Sequence, residues 1–396
     1  MVEWKELKEV FDTRNGYTPS TTNESFWEGG NIPWFKMEDI RDKGGILNDS
    51  YLHITETAVK GKGLFKANSI LLATSATIGE HALITVDHLS NQRFTNLYPK
   101  AKYEHEINMR YVYYYMFKID EWCKQHVNQG GFASVDMGGL YRLAFPIPSI
   151  SEQQRIVGIL DTFTSSIENL KEQIAQRRKQ YEYYRDQLFY ASKEDLLEAS
   201  KRGKTIVKSL DDLGTFTRGR RFVRTDIVSE GVPCIHYGDM YTYYGVSAEE
   251  TPTHLTIELS SKLRFANYGD VVIVAAGEND LDIGVGVAWL GKEPVVVHDA
   301  CFIYEHKMNP KYLSHFMRSR NYHQQIRMGV VDGKICSISA KELGRALIAV
   351  PPLSEQQRIV SILDTFEASI QNLEAQLKER EKQYEYYRNK LLTFEE

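Results

Sequence analysis

Cysteine is scarce in this chain. Cys123, Cys234, Cys301 and Cys336 stand far apart with no C-x-x-C pair among them. That excludes a disulfide scaffold and the usual structural-zinc spacings, and it fits reduced thiols in cytoplasm. No run of 18 apolar residues occurs, so no membrane span and no membrane partner are expected. The opening residues, MVEWKELKEV, are charged and lack the apolar stretch of a signal peptide. A surplus of positive charge is missing as well. The net charge is −5, and residues 1–150, 151–190, 191–353 and 354–396 carry −2, 0, 0 and −3. Any nucleic-acid face must therefore be a local patch, or a partner must supply part of the phosphate attraction.

Catalytic signatures are also absent. The GKT at Gly203–Thr205 lacks the earlier glycine of a phosphate-binding loop, because position 198 is Glu198. GVGVAW carries Gly284 and Gly286 but has Trp289 where a dinucleotide fingerprint needs its third glycine. No H-E-x-x-H, G-x-S-x-G or N-P-P-F/Y motif is present, and the scattered carboxylates form no nuclease pattern. These absences point to a chain without bond-making chemistry of its own, without a metal site and without a bound cofactor.

What the chain does have is a repeat. SEQQRIVGILDTF begins at Ser151 and SEQQRIVSILDTF at Ser354, and 26 of 39 positions agree between Ser151–Phe189 and Ser354–Leu392. Each copy follows a proline-bearing strand end, FPIPSI or VPPL, and starts with a serine followed three residues later by glutamine, the pattern of a capping box. Apolar residues step by three and four. In the first copy they are Leu160, Phe163, Ile167, Leu170 and Ile174, continuing through Arg177, Tyr181, Tyr184 and Leu188. In the second the same slots hold Leu363, Phe366, Ile370, Leu373, Leu377, Arg380, Tyr384, Tyr387 and Leu391. This is a heptad seam on two helices, each about 58 Å long. Each needs a partner for its apolar stripe, and the other copy is the obvious one. Arg177 and Arg380 fall on the seam, as snorkelling stems or as register markers. Arg185 and Arg388 lie off it, open to a partner subunit or a phosphate.

The remainder repeats more weakly. LKEVFDTRNG at Leu7 parallels LDDLGTFTRG at Leu210, IPWFKMEDI at Ile32 parallels VPCIHYGDM at Val232, and INMRYVYYYMF near Asn108 parallels MNPKYLSHFM near Asn309. The expected organisation is a globular unit at 1–150, a helix at 151–190, a polar linker at 191–204, a second unit at 205–353 and a second helix at 354–396. SILLATSATIG and DVVIVAAG read as strands, whereas NMRYVYYYMFKIDEWCKQ and NPKYLSHFMRSRNYHQQIR read as helices. Each unit is therefore α/β (α+β), a mixed sheet of short strands and long loops. Two such units lie in tandem. If equal units sit about a two-fold axis, their helices pair as an antiparallel coiled coil with pseudo-two-fold symmetry.

This alternation of two variable units with two near-identical helices resembles the specificity subunit of type I restriction-modification systems over the whole chain. The SEQQRIV-x-ILD helix starts and KQYEYYR helix ends are its most specific parts. The resemblance implies two target recognition domains, each reading half of a split, asymmetric site on double-stranded DNA, spaced by helices that dock two methyltransferase subunits. Restriction/translocase subunits would join that core. AdoMet, ATP and Mg²⁺ would belong to those partners. A coiled-coil scaffold with two ligand-binding heads and no nucleic acid, or a self-sufficient nuclease, are the rival readings.

Candidate DNA contacts cluster at repeat landmarks. TRGRRFVR places Arg218, Arg220, Arg221 and Arg224 around a glycine turn, suited to phosphate or guanine. The matching place in the first unit offers Arg14, Asn15 and Tyr17. Lys36 and His236 are equivalent, with Tyr237 following; Asp39 and Asp239 recur beside them in a turn-capping pattern. The loops after the strands add Ser75 and Thr77, or Asn279 and Asp280, and SNQRF adds Gln92 and Arg93. The strip YVYYYMF at Tyr111–Phe117 reads as core rather than as a stacking platform.

Overall fold

A computed structural model describes residues 2–128 and 133–394. The chain divides into two compact units. One is made of residues 1–169 with 376–396 and the other of residues 170–375. Each unit thus holds one globular head, part of the helix Ile150–Leu188 and part of the helix Leu353–Leu391.

In the first unit a five-stranded sheet runs in the order Phe11–Asn15, Phe94–Pro99, Ser69–Ala73, His81–Ile84, Ile46–Leu47. The second unit repeats it with Gly214–Arg218, Cys301–His306, Val271–Val274, Gly286–Trp289 and Ser247–Ala248. In both, only the outermost short strand pairs parallel. The central strand Ser69–Ala73 is buried along its whole length. Side chains alternate across a strand, so Ile70 and Leu72 enter one core and Leu71 and Ala73 another. A second, smaller sheet holds Ile32–Phe35 against Leu89–Ser90 in the first unit and Val232–Ile235 against Val295–Val297 in the second, both pairs parallel.

The helix after the large sheet shows how local sequence sets structure. Asn108 caps Met109–Gln125 by accepting the N–H of Arg110 at 2.9 Å. Tyr111, Tyr114 and Tyr115 are buried, so the tyrosine strip is core. The second unit departs from the single helix expected there. Pro310–Phe316 ends, and Ser319 caps a new helix, Arg320–Ile326. Residues 191–204, read as a polar linker, carry a helix, Lys193–Lys201, capped by Ser192 with Leu196 and Ala199 buried.

The long helices begin two residues earlier than the capping-box reading placed them. Ser151 and Ser354 lie inside the first turn; Ser149 receives the Glu152 N–H in the first copy and the Pro352 carbonyl receives that of Glu355 in the second. The repeat is strict here for another reason. Gln153 is fully buried, accepts the Asn108 N–H at 2.8 Å and donates to the carbonyls of Glu106 and Pro148. Gln356 does the same in its own unit, accepting from Asn309 at 2.9 Å and donating to Pro351. A buried amide with every polar group satisfied fixes each helix to its head. Asp161 adds Arg110 and Tyr114 to that joint, and Asp364 adds Lys311 at 2.6 Å and His315 at 3.4 Å.

Candidate nucleic-acid interface

The small parallel sheet positions the site. Backbone leaving the carboxyl ends of adjacent parallel strands opens a crevice where ligands bind. In the first unit the residues leaving are Lys36 and Asn91, and in the second His236 and His298. The exits are locked alike. The Asn91 N–H donates to the Phe35 carbonyl, and the His298 N–H to that of Ile235, each at 3.2 Å. A third loop crosses them, with the Tyr17 N–H on the Ser90 carbonyl (2.8 Å) and the Arg220 N–H on that of Val297 (3.1 Å). Gly16 and Gly219 precede these residues, and a Cβ on either would strike the carbonyl of Asn91 or His298. Glycine is required there by close backbone approach.

Upon this shared frame the side chains differ. In the first unit Lys36, Thr77, Gln92 and Arg93 line one cleft of about 370 Å³, joined by Thr18 and Trp34. The Thr18 hydroxyl donates to Gln92 at 2.7 Å, and the buried Thr77 hydroxyl oxygen meets no partner among the described residues. Arg14, Asn15 and Tyr17 line a separate cleft of about 590 Å³ with Lys60 and Lys62. There Arg14 is spent on structure. Its guanidinium donates to the carbonyls of Lys62 and Gly63, lies 4.2 Å over the Phe65 ring, and is pushed below its usual pKa by burial. Tyr17 ties down the Ala58–Lys60 turn and Asn15 accepts from Thr95. Ser75 sits in a backbone bridge to Ser134. Asp39 is buried and receives the N–H groups of Lys36 and Tyr51, the turn-capping role its spacing suggested.

In the second unit the arginine turn wraps an aromatic cluster. Phe222 lies 5.0 Å from His298 and 6.0 Å from His236, while Tyr237 lies 4.6 Å from His236. Arg218 donates to the Asp299 carbonyl and Arg220 to that of Lys262, so both arginines brace the turn. The side chains of Arg221 and Arg224 are exposed and make no hydrogen bond or ion pair within the described residues. Burial lowers the pKa of His236 and of His298, and the charges of Arg224 and Arg221 respectively lower them further. Asn279 caps the turn Asp280–Asp282, which leaves its carbonyl oxygen engaged with the Leu281 N–H.

Each unit holds its own stretch of the helix pair. In the second, Tyr184 stacks on Phe366 (5.4 Å), Arg178 pairs with Glu374 and Tyr181 reaches Glu367. As one helix advances the other recedes, so they run antiparallel. In the first, Phe163 stacks on Tyr387 at 5.3 Å. Leu160 and Leu363 are buried, as is Ile167, and Leu170, Ile370 and Leu373 are half-buried. Both seam arginines lie over the facing phenylalanine, Arg177 over Phe366 at 5.9 Å and Arg380 over Phe163 at 5.7 Å. Arg185 and Arg388 are half-buried and make contacts within their own units. Arg185 pairs with Asp186 and packs on Tyr181, and Arg388 lies 4.5 Å over Phe117, beside the half-buried Tyr384.

The model of the type I restriction modification DNA specificity domain matches residues 1–177 and again 203–381. The chain belongs to this family. Among its specificity-domain relatives, the EcoprrI type I restriction enzyme specificity subunit of Escherichia coli is 48% identical over 212 residues, which is 51% of this chain and 53% of that one. A putative type I restriction enzyme specificity subunit of Haemophilus influenzae is 27% identical over 99% of this chain and 96% of its own length. A type I restriction-modification S subunit from M. genitalium shares the fold, with a TM-score of 0.56 at 15% identity, covering 100% of this chain and 97% of the other. A chain from a type I R-M assembly structure gives a TM-score of 0.60 at 14% identity over 99% and 96%. Among the described residues no helix is long and apolar enough to cross a membrane.

In this specificity-domain chain, sequence reasoning passed over Thr18, Asn91, Phe222, His298 and Asp299. Asn91 and His298 hold their turns identically, each side chain accepting the N–H two residues on, Arg93 at 3.0 Å and Ala300 at 3.1 Å. Aligning SNQRF with VHDAC would have found both, and with them Asp299 opposite Gln92.

Proposed function

We propose that this chain is the non-catalytic sequence-reading subunit of a type I restriction-modification complex. Each head contacts one half of a split double-stranded DNA site through its crevice edge, and the helix pair spaces the two contacts. The complex docks two methyltransferase subunits, and through them restriction/translocase subunits, in the cytoplasm. AdoMet, ATP and Mg²⁺ act in those partners.

One observation carries the reading. The family match falls on both halves, and the two heads share one backbone frame whose edges carry different side chains. Two unlike readers on equal scaffolds suit an asymmetric bipartite target, because phosphate contacts position and base contacts specify. The test is to sequence methylated adenines in the host genome with this gene deleted and then restored. One split motif should vanish and return. An unchanged methylation pattern, with no salt-dependent DNA binding by the purified chain, would instead favour a scaffold whose heads bind other ligands.

A further inference from the structure

Resting on that reading, the geometry of the second head goes further and names a base pair: we propose that it reads a G·C pair through Arg221, Arg224, His236 and Asp299. Of the four arginines in its turn, Arg218 and Arg220 are held by backbone carbonyls, which leaves the forks of Arg221 and Arg224 unengaged. His236 accepts the Gly238 N–H on Nδ1 at 3.3 Å. The neutral ring therefore carries its proton on Nε2, a donor without a partner in the described residues. Three donor groups thus surround the exit of the central parallel strand.

The acceptor comes from Asp299. Its carboxylate lies 3.2 Å from His298 Nδ1, but that nitrogen already accepts the Ala300 N–H while Nε2 donates to the Phe222 carbonyl at 3.0 Å. His298 is neutral and gives Asp299 no hydrogen bond. The edge therefore offers several donors beside one anionic acceptor. In the major groove guanine presents two acceptors, N7 and O6, and its cytosine partner presents the N4 amino donor. Carboxylates accept from cytosine N4, and arginine forks match guanine. A phosphate has no donor for Asp299 to accept from, whereas cytosine N4 has, so the mixed donor and acceptor edge suits bases better than backbone. The equivalent positions of the first head are Thr18 for Arg221, Lys36 for His236 and Gln92 for Asp299, a different donor and acceptor set, so the same pair is not expected there.

The test uses the full-length chain and selection from a random double-stranded DNA library. Wild type should select two elements, one holding a fixed G·C pair. Arg221→Ala or Arg224→Ala should relax that position roughly tenfold and leave the other element intact. Arg221→Lys, which keeps the charge and loses the fork, should relax it at near wild-type affinity. Asp299→Asn should weaken the preference for cytosine at the paired base. Arg93→Ala should alter only the other element. Uniform weakening across all sequences, with a shallower salt dependence, would place the arginines on phosphates and overturn the inference while leaving DNA reading in place. A wild-type chain that selects no sequence at all would instead sink the reading on which it rests.

Discussion

Single residues set what this protein tolerates. His88 and His306 sit in the two heads with their pKa values lowered to about 4 by burial. His88 donates from Nδ1 to the Val86 carbonyl, and its Nε2 is buried without a partner among the described residues. Protonating it would bury a charge facing the rings of Phe35 and Phe65. Unfolded, each imidazole titrates near about 6.5. As the pH falls below that value the unfolded chain takes up protons first. Stability is then lost down to about pH 4, below which both states bind alike. Between pH 7 and 5 each group should remove on the order of 2 kcal/mol. Asp and Glu side chains of the unfolded chain titrate lower, near about 4, so this window reports mainly on imidazoles. Urea midpoints of the full chain at pH 7 and pH 5 test it: His88→Phe should flatten the pH dependence of the first unit's transition, and an unflattened profile would count against the burial argument. The same scale limited what the sequence disclosed about the site. Arg14, Arg218, Arg220 and Arg221 all read as candidate DNA contacts in a string of letters. Only the fold shows that loop carbonyls occupy the first three.

At the scale of elements the two long helices were legible and the sheets were not. A three-and-four spacing survives in sequence because one helix face is wet and the other dry. Central strands such as Val271–Val274 are buried on both faces, which erases the alternation that would mark register. Their order also depends on parallel pairings between distant segments, as of Trp34 with Leu89, for which no local rule exists. The capping-box reading failed because the repeated glutamine that matters is Gln153, one place before the one the motif needs. The seam itself carries a measurable term. Tyr184 on Phe366 and Phe163 on Tyr387 are stacked at interplanar angles of 26° and 25°. A double-mutant cycle to alanine at either pair should give a coupling of about 0.5–1.5 kcal/mol in thermal or urea stability. Zero coupling at both would mean that the rings touch without holding the helices together.

For the molecule as a whole, the proposed function makes helix length a variable of DNA recognition. The stack of Tyr184 on Phe366 sets a register in which Ala175 lies near the level of Ala375. Inserting one heptad after each of these residues keeps the apolar seam in phase, since seven residues restore the same face. It lengthens the paired rods by about 10 Å at 1.5 Å per residue, which corresponds to roughly three base pairs. Such a chain should select the same two elements with the gap widened by that amount. Reading in the major groove adds a constraint, because three base pairs also rotate one half-site by about 100° around the duplex, at roughly ten base pairs per turn. Affinity should therefore fall unless the DNA or the heads twist to follow, and the widened site should be bound more weakly than the wild-type site is by the wild-type chain. Inserting four residues instead shifts the seam and should cost stability as well as binding. If the heptad variant chose the original spacing with undiminished affinity, the helices would not be measuring the site, and the gap would have to be set by the heads or by a partner subunit.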